Sequence, residues 1–137
     1  MKNMIRISAS YLTFALIAGV FYHEAAYYTH FEGVSVLRLV HGHALVLGAL
    51  VFLAMPVLMK LFHIEQQKMF RRGLYTYNVG LIMSLFFMVA RGVTQVFQMN
   101  IPSFADHMIG GLAGIGHVIL TVGIFFFYRA YLNAVEK

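Results

Sequence analysis

Residues Leu37 to Pro56 read LRLVHGHALVLGALVFLAMP, an apolar run interrupted by Arg38 and by two histidines, His41 and His43. A helix of about 20 such residues crosses a hydrocarbon core of roughly 30 Å. The stretch therefore reads as the greater part of a membrane span, Val36 to Phe62. Working outward, three more runs have the same character: Ser8 to Tyr28, Gly73 to Phe97 and Met108 to Tyr131. The 137-residue chain is 61% hydrophobic and 11% charged, whereas charged residues make up about a quarter of a soluble domain. In lipid every backbone polar group must be satisfied within the segment, which leaves the helix for runs of this length. The expected fold is an all-α integral membrane protein, a single domain over residues 1–137 built as an up-down-up-down bundle of four transmembrane helices.

The few charges sort by side. Lys2 and Arg6 precede the first span, Lys60, Lys68, Arg71 and Arg72 lie between the second and third, and Arg129 and Lys137 close the fourth. The connections near Glu32 and Asp106 hold no Lys or Arg apart from Arg38 at the mouth of the second span. By the positive-inside rule the N-terminus and C-terminus are both cytoplasmic, as expected of a multi-pass membrane protein. The net charge of +5 is thus an orientation signal, and nucleic acid is not an expected partner. A basic start before an apolar run also describes a secretory signal, but the run is long and the other spans need its surface. With no cysteine, disulfides and thiolate metal sites are excluded.

Once the spans are oriented, their polar residues gather in one layer towards the outer side. His23 and Glu24 end the first span, His41 and His43 begin the second, Arg91, Gln95 and Gln98 lie in the outer third of the third, and His117 lies deepest, in the fourth. The inner halves are almost wholly Leu, Ile, Val, Phe and Met. Ionisable side chains at depth are costly and usually functional; the plainer alternative for His41, His43 and His117 is an interhelical hydrogen bond. His30, His63 and His107 fall at boundaries or in loops and read as interfacial, and His23 is either a snorkelling residue or a ligand.

Helical phase, at about 100° per residue, refines the layer. Gly110, Gly114, His117 and Thr121 share a face, so the segment GGLAGIGH (110–117) presents either a close-packing surface or a slot for a planar macrocycle. Ser84, Met88, Arg91, Gln95 and Gln98 form a second stripe. His41 and His43 point about 200° apart, so one faces the bundle interior and the other a second site or a neighbouring subunit of a homo-oligomer. His41 keeps company with Arg38 and Gly48, His43 with Leu39, Leu47 and Leu50. Face composition favours His41 as the inner residue and depth favours His43. The second and fourth spans, set diagonally, leave room for a porphyrin between two axial imidazoles, with Arg38 or Arg91 beside its propionates. Arg91 is expected to face inward and to pair with Glu24, a propionate, or both. The expected function is a b-type haem protein for electron transfer or diatomic gas binding, with a quinone or a redox protein as partner within the lipid. A second reading places a copper, zinc or iron ion among His41 or His43, His117 and Glu24. A third is a scaffold whose polar layer only holds the helices together.

The segment HGHALVLGALVF (41–52) resembles the His-x-His helix of heme-copper oxidase catalytic subunits, which implies that His41 and His43 each serve as an axial ligand. The chain has no adjacent His-His copper motif, so oxygen reduction is not implied. Over its whole length the chain resembles a family of small, uncharacterised bacterial membrane proteins with four spans. The matching residues are Glu24; His41, His43, Leu47 and Gly48; Arg91, Gly92 and Gln95; and Gly111, Gly114, Gly116 and His117.

Overall fold

The computed structural model describes residues 1–136. Four helices are long and apolar enough to cross a membrane: α1 (Lys2–Tyr28), α2 (Leu37–Phe62), α3 (Lys68–Val96) and α4 (Ser103–Val135). They alternate in direction, so both ends of the chain lie at one end of the bundle, the end that carries most of the basic residues. The helices run past the apolar runs that announce them. α4 has 33 residues and is about 50 Å long at 1.5 Å per residue, longer than a hydrocarbon core of roughly 30 Å.

Helix ends follow local chemistry. α1 stops where Thr29 Oγ1 donates to the Ala25 carbonyl at 2.7 Å and His30 turns left-handed. α2 stops at His63, also left-handed at φ 51°, and a short 3₁₀ turn, Ile64–Gln66, leads into α3. Pro102 precedes α4, where a residue without an N–H costs nothing, since the first amides of a helix have no partner within it.

Within α2, the segment Ala44–Leu50 is π-helical. A π-bulge widens the turn and rotates the rest of the helix. Its carbonyls find partners outside the helix: Tyr77 donates its hydroxyl to the Leu47 carbonyl at 2.7 Å, and Ser8 donates to that of Ala49 at 2.7 Å. Gly48 lies inside this segment and presses against the ring of Tyr11, leaving no room for a Cβ.

With lipid on the outside, helices associate by close backbone approach through small residues. α3 and α4 show this over their whole length. A Cβ on Gly80 would run into the backbone of Leu120, one on Gly116 would lie 2.6 Å from Ser84 Oγ, and one on Gly123 would lie 2.6 Å from Tyr77. α2 docks on α3 where Leu37 sits on Gly92, and Ser35 Oγ donates to the Gly92 carbonyl at 3.1 Å. An aromatic ladder then links all four helices: Tyr11 (α1), Phe52 (α2), Tyr77 (α3) and Phe127 (α4) follow at centroid spacings of 5.8, 5.8 and 5.4 Å.

Two expectations are corrected here. The second and fourth spans do not stand apart: α2 touches α4 at His43–His117, 5.9 Å between ring centroids, and at Phe62–Tyr131, 5.1 Å. α2 is therefore in contact with the other three helices, as is α3. Nor is the half of the bundle near the basic end purely apolar. Tyr11 donates to Asn78 Oδ1 at 3.0 Å, and Asn78 Nδ2 donates to the Leu74 carbonyl at 2.8 Å. These polar groups satisfy one another, which is what allows them in an apolar setting.

Candidate functional site

His43 of α2 and His117 of α4 meet with their rings nearly perpendicular, at 86°. Both are half-buried. Each ring is anchored in the same way: Nδ1 of His43 donates to the Leu39 carbonyl at 2.9 Å, and Nδ1 of His117 to the Ala113 carbonyl at 2.8 Å. A carbonyl only accepts, so Nδ1 of each ring carries a proton; in the Nδ1–H tautomer the lone pair lies on Nε2. That is the state in which histidine ligates a metal. No hydrogen bond joins the two rings themselves.

Two imidazoles on one metal, with bonds of about 2.0 Å each, hold their ring centres on the order of 6 Å apart. The observed separation is 5.9 Å. The surroundings leave space beside the pair. Gly114, on the same face of α4 as His117, and Gly111 both have nothing within 4 Å of where a Cβ would stand, and neither has Gly42, next to His43. His43 lies six residues into α2 and His117 fourteen into α4, depths of about 9 and 21 Å along their helix axes. They come level because α4 begins well beyond the mouth of α2.

The other residues singled out by the sequence are distributed as follows. His41 points away from His43, as the 200° separation requires; it is exposed and lies against Gly19 of α1, 3.7 Å from a Cβ position there. His43 is thus the histidine that faces α4. Arg91 does not pair with Glu24. Its Nε and Nη2 donate to the two oxygens of Asp106 at 3.0 and 2.9 Å, a two-pronged pair between α3 and α4. The expectation failed because Asp106 looked like a loop residue, whereas α4 starts at Ser103 and places it in the first helical turn, where the helix dipole favours a carboxylate. The remaining guanidinium nitrogen, Nη1, rests on Gly110, 3.1 Å from a Cβ position. Glu24 is held by its neighbour His23, at 3.1 Å, with both side chains largely exposed. Gln95 accepts the backbone N–H of Val36 at 2.9 Å and so caps the entry to α2. Arg38 is exposed and has no ion-pair partner among the described residues. Thr121 donates to the His117 carbonyl at 2.9 Å. His30 and His107 are exposed, and His63 lies 3.7 Å from Glu65.

Among the described residues no three His, Asp or Glu side chains converge as a metal-binding group. The trio of His43, His117 and Glu24 is not assembled. A bare zinc or copper ion takes three or four ligands, whereas a porphyrin supplies four nitrogens itself and takes one or two ligands from the protein. One further polar group lies near, the buried hydroxyl of Ser84, without a hydrogen-bond partner and packed on Gly116 beside His117.

Sequence reasoning missed Asp106, Tyr11, Asn78 and Tyr77. Only Asp106 carried a signal: Arg91 and Asp106 flank a short turn ending in Pro102, so two antiparallel helices bring them level.

Residues 1–134 match the family described as "Protein of unknown function (DUF2871)", and the chain belongs to that family. Neither a curated protein nor a solved structure matches it.

Proposed function

We propose that this is a multi-pass protein of the bacterial cytoplasmic membrane that holds a b-type haem between His43 and His117 and serves electron transfer. One observation carries the reading: two imidazoles from different helices, each with Nδ1–H tied to a carbonyl, stand at a 5.9 Å centre-to-centre spacing, within the range open to two histidines on one metal. A haem so held supplies a one-electron iron couple. Everything else is done by the chain. The Leu39 and Ala113 carbonyls fix the ring tautomers and raise the basicity of Nε2. Gly114 leaves the face of α4 beside His117 open for a flat macrocycle. Arg91, with Nη1 uncommitted over Gly110, lies two turns from His117 on that face, about 10 Å along the axis, and offers a cation to a propionate. Were both histidines to hold the iron, no position would be left for a gas, which suits electron transfer more than gas binding. A lipid-soluble quinone or a redox protein completes the electron path.

The test is a visible spectrum of the purified protein with metal analysis of the same sample. A Soret band of a low-spin, six-coordinate haem that is lost in both His43→Ala and His117→Ala supports the proposal. Bound zinc or copper without haem, or neither, overturns it.

A further inference from the structure

α1 is docked on α2, and the Tyr11–Asn78 hydrogen bond links it to α3. Around that contact lies a cleft of about 520 Å³, walled by Ile7, Tyr11 and Phe14 of α1 and by Ile82, Phe86 and Val89 of α3. A shallower shelf over Ala9, Thr13 and Ile17 continues it across α1. The polar groups on its walls are already engaged: Ser10 donates to the Arg6 carbonyl at 3.1 Å, and Tyr11 and Asn78 hold each other and Leu74. The cleft thus offers a ligand hydrocarbon contact and no hydrogen bond, which suits a lipid chain and not a polar ring.

The charge lies at one end of it. Arg6 is one turn below Ser10 on α1, and Arg71 is two turns below Asn78 on α3, so by helical phase both stand at the cleft's basic mouth. Both are exposed, and neither has an ion-pair partner among the described residues. Tyr75, 75% exposed, adds an aromatic ring at headgroup level on the same face. We propose that the α1–α3 cleft is a binding site for an anionic phospholipid, its acyl chain along Phe14 and Phe86 and its phosphate between Arg6 and Arg71. This site is separate from the histidine pair and stands or falls without haem. Basic residues near the bilayer surface favour an anionic headgroup by about fivefold each, so two of them give it a preference on the order of 25-fold over a zwitterionic one.

The chain has no tryptophan, so Phe14→Trp places a single reporter in the cleft. The protein is reconstituted into mixed vesicles in which either phosphatidylglycerol or phosphatidylcholine carries brominated chains, and quenching of the indole gives their relative affinities. Brominated phosphatidylglycerol should quench at a far lower mole fraction. The preference should vanish with Arg6→Gln and Arg71→Gln combined, and should be absent for Phe125→Trp, a reporter on the exposed face of α4. Ile82→Trp repeats the measurement if the first reporter does not insert. Equal quenching by the two lipids overturns the proposal, as does a preference that survives loss of both arginines. Displacement of the brominated lipid by a short-chain quinone at equimolar amounts also overturns it, because the occupant is then a quinone.

Discussion

At the scale of single residues, the fold distinguishes two histidines that the sequence leaves equivalent. His41 and His43 are two positions apart in an apolar run, and nothing in that run says where α4 lies. The answer depends on distant glycines: Gly80 on Leu120 and Gly116 on Ser84 fix how α4 packs on α3, and that placement brings His117 to His43. His43→Ala and His117→Ala should each cut haem content of the purified protein at least tenfold, while His41→Ala leaves it within twofold. Equal loss from His41→Ala would mean that the wrong histidine has been assigned. Arg91 and Asp106 allow a test with a sign. A unit charge about 10 Å from the iron, at an effective dielectric near 20, contributes roughly 1.7 kcal/mol, or on the order of 70 mV for one electron. Reduction adds a negative charge to the site, so removing the cation in Arg91→Leu should lower the midpoint potential. Removing the anion in Asp106→Asn should raise it. Potentials moving in the same direction in a redox titration would place the pair away from the cofactor. As a partly exposed ion pair it adds little stability, roughly 1 kcal/mol at most.

Among the elements, the four spans were legible because about 20 consecutive apolar residues admit one structure in lipid. Their ends were less so. α4 begins five residues before its apolar run, since Ser103 to His107 are helical but more polar than the run that follows. The π segment Ala44–Leu50 was not legible at all: in an all-apolar run one extra residue per turn leaves no mark on the pattern. It is held by tertiary partners, the Tyr77 and Ser8 hydroxyls and the Tyr11 ring on Gly48. The glycines carry two distinct roles, which substitution should separate. Gly80→Val forces a side chain into the Leu120 backbone and should destabilise the protein by about 1–3 kcal/mol or more, read by unfolding in mixed micelles. Gly114→Leu meets nothing within 4 Å, so the apoprotein should keep its stability to within about 0.5 kcal/mol. The leucine fills the open face beside His117, however, and haem loading should fall severalfold. Normal loading in Gly114→Leu would move the macrocycle off this face.

For the molecule as a whole, the even number of spans puts both chain ends on one side, and the remaining choice is which side. Lys2, Arg6, Lys60, Lys68, Arg71, Arg72 and Arg129 stand at the end that holds the termini and the turn between α2 and α3, while the connections at the far end carry Glu32 and, within a turn of α4, Asp106. Lys and Arg in short connections are retained in the cytoplasm during insertion, so the basic end is expected inside. The histidine pair is nearer the far end, about 9 Å along α2 from its first residue, so this orientation puts the proposed haem closer to the outer leaflet and to partners on that side. The native chain has no thiol, and single cysteines can therefore be labelled without background. In intact cells an impermeant maleimide should modify Glu32→Cys and leave Lys68→Cys untouched until the membrane is permeabilised. Labelling of Lys68→Cys from outside would invert the molecule and move the histidine pair towards the cytoplasmic leaflet. It would also turn the Arg6–Arg71 mouth of the α1–α3 cleft towards outer-leaflet lipid, while the packing of α2 against α4 stayed as it is.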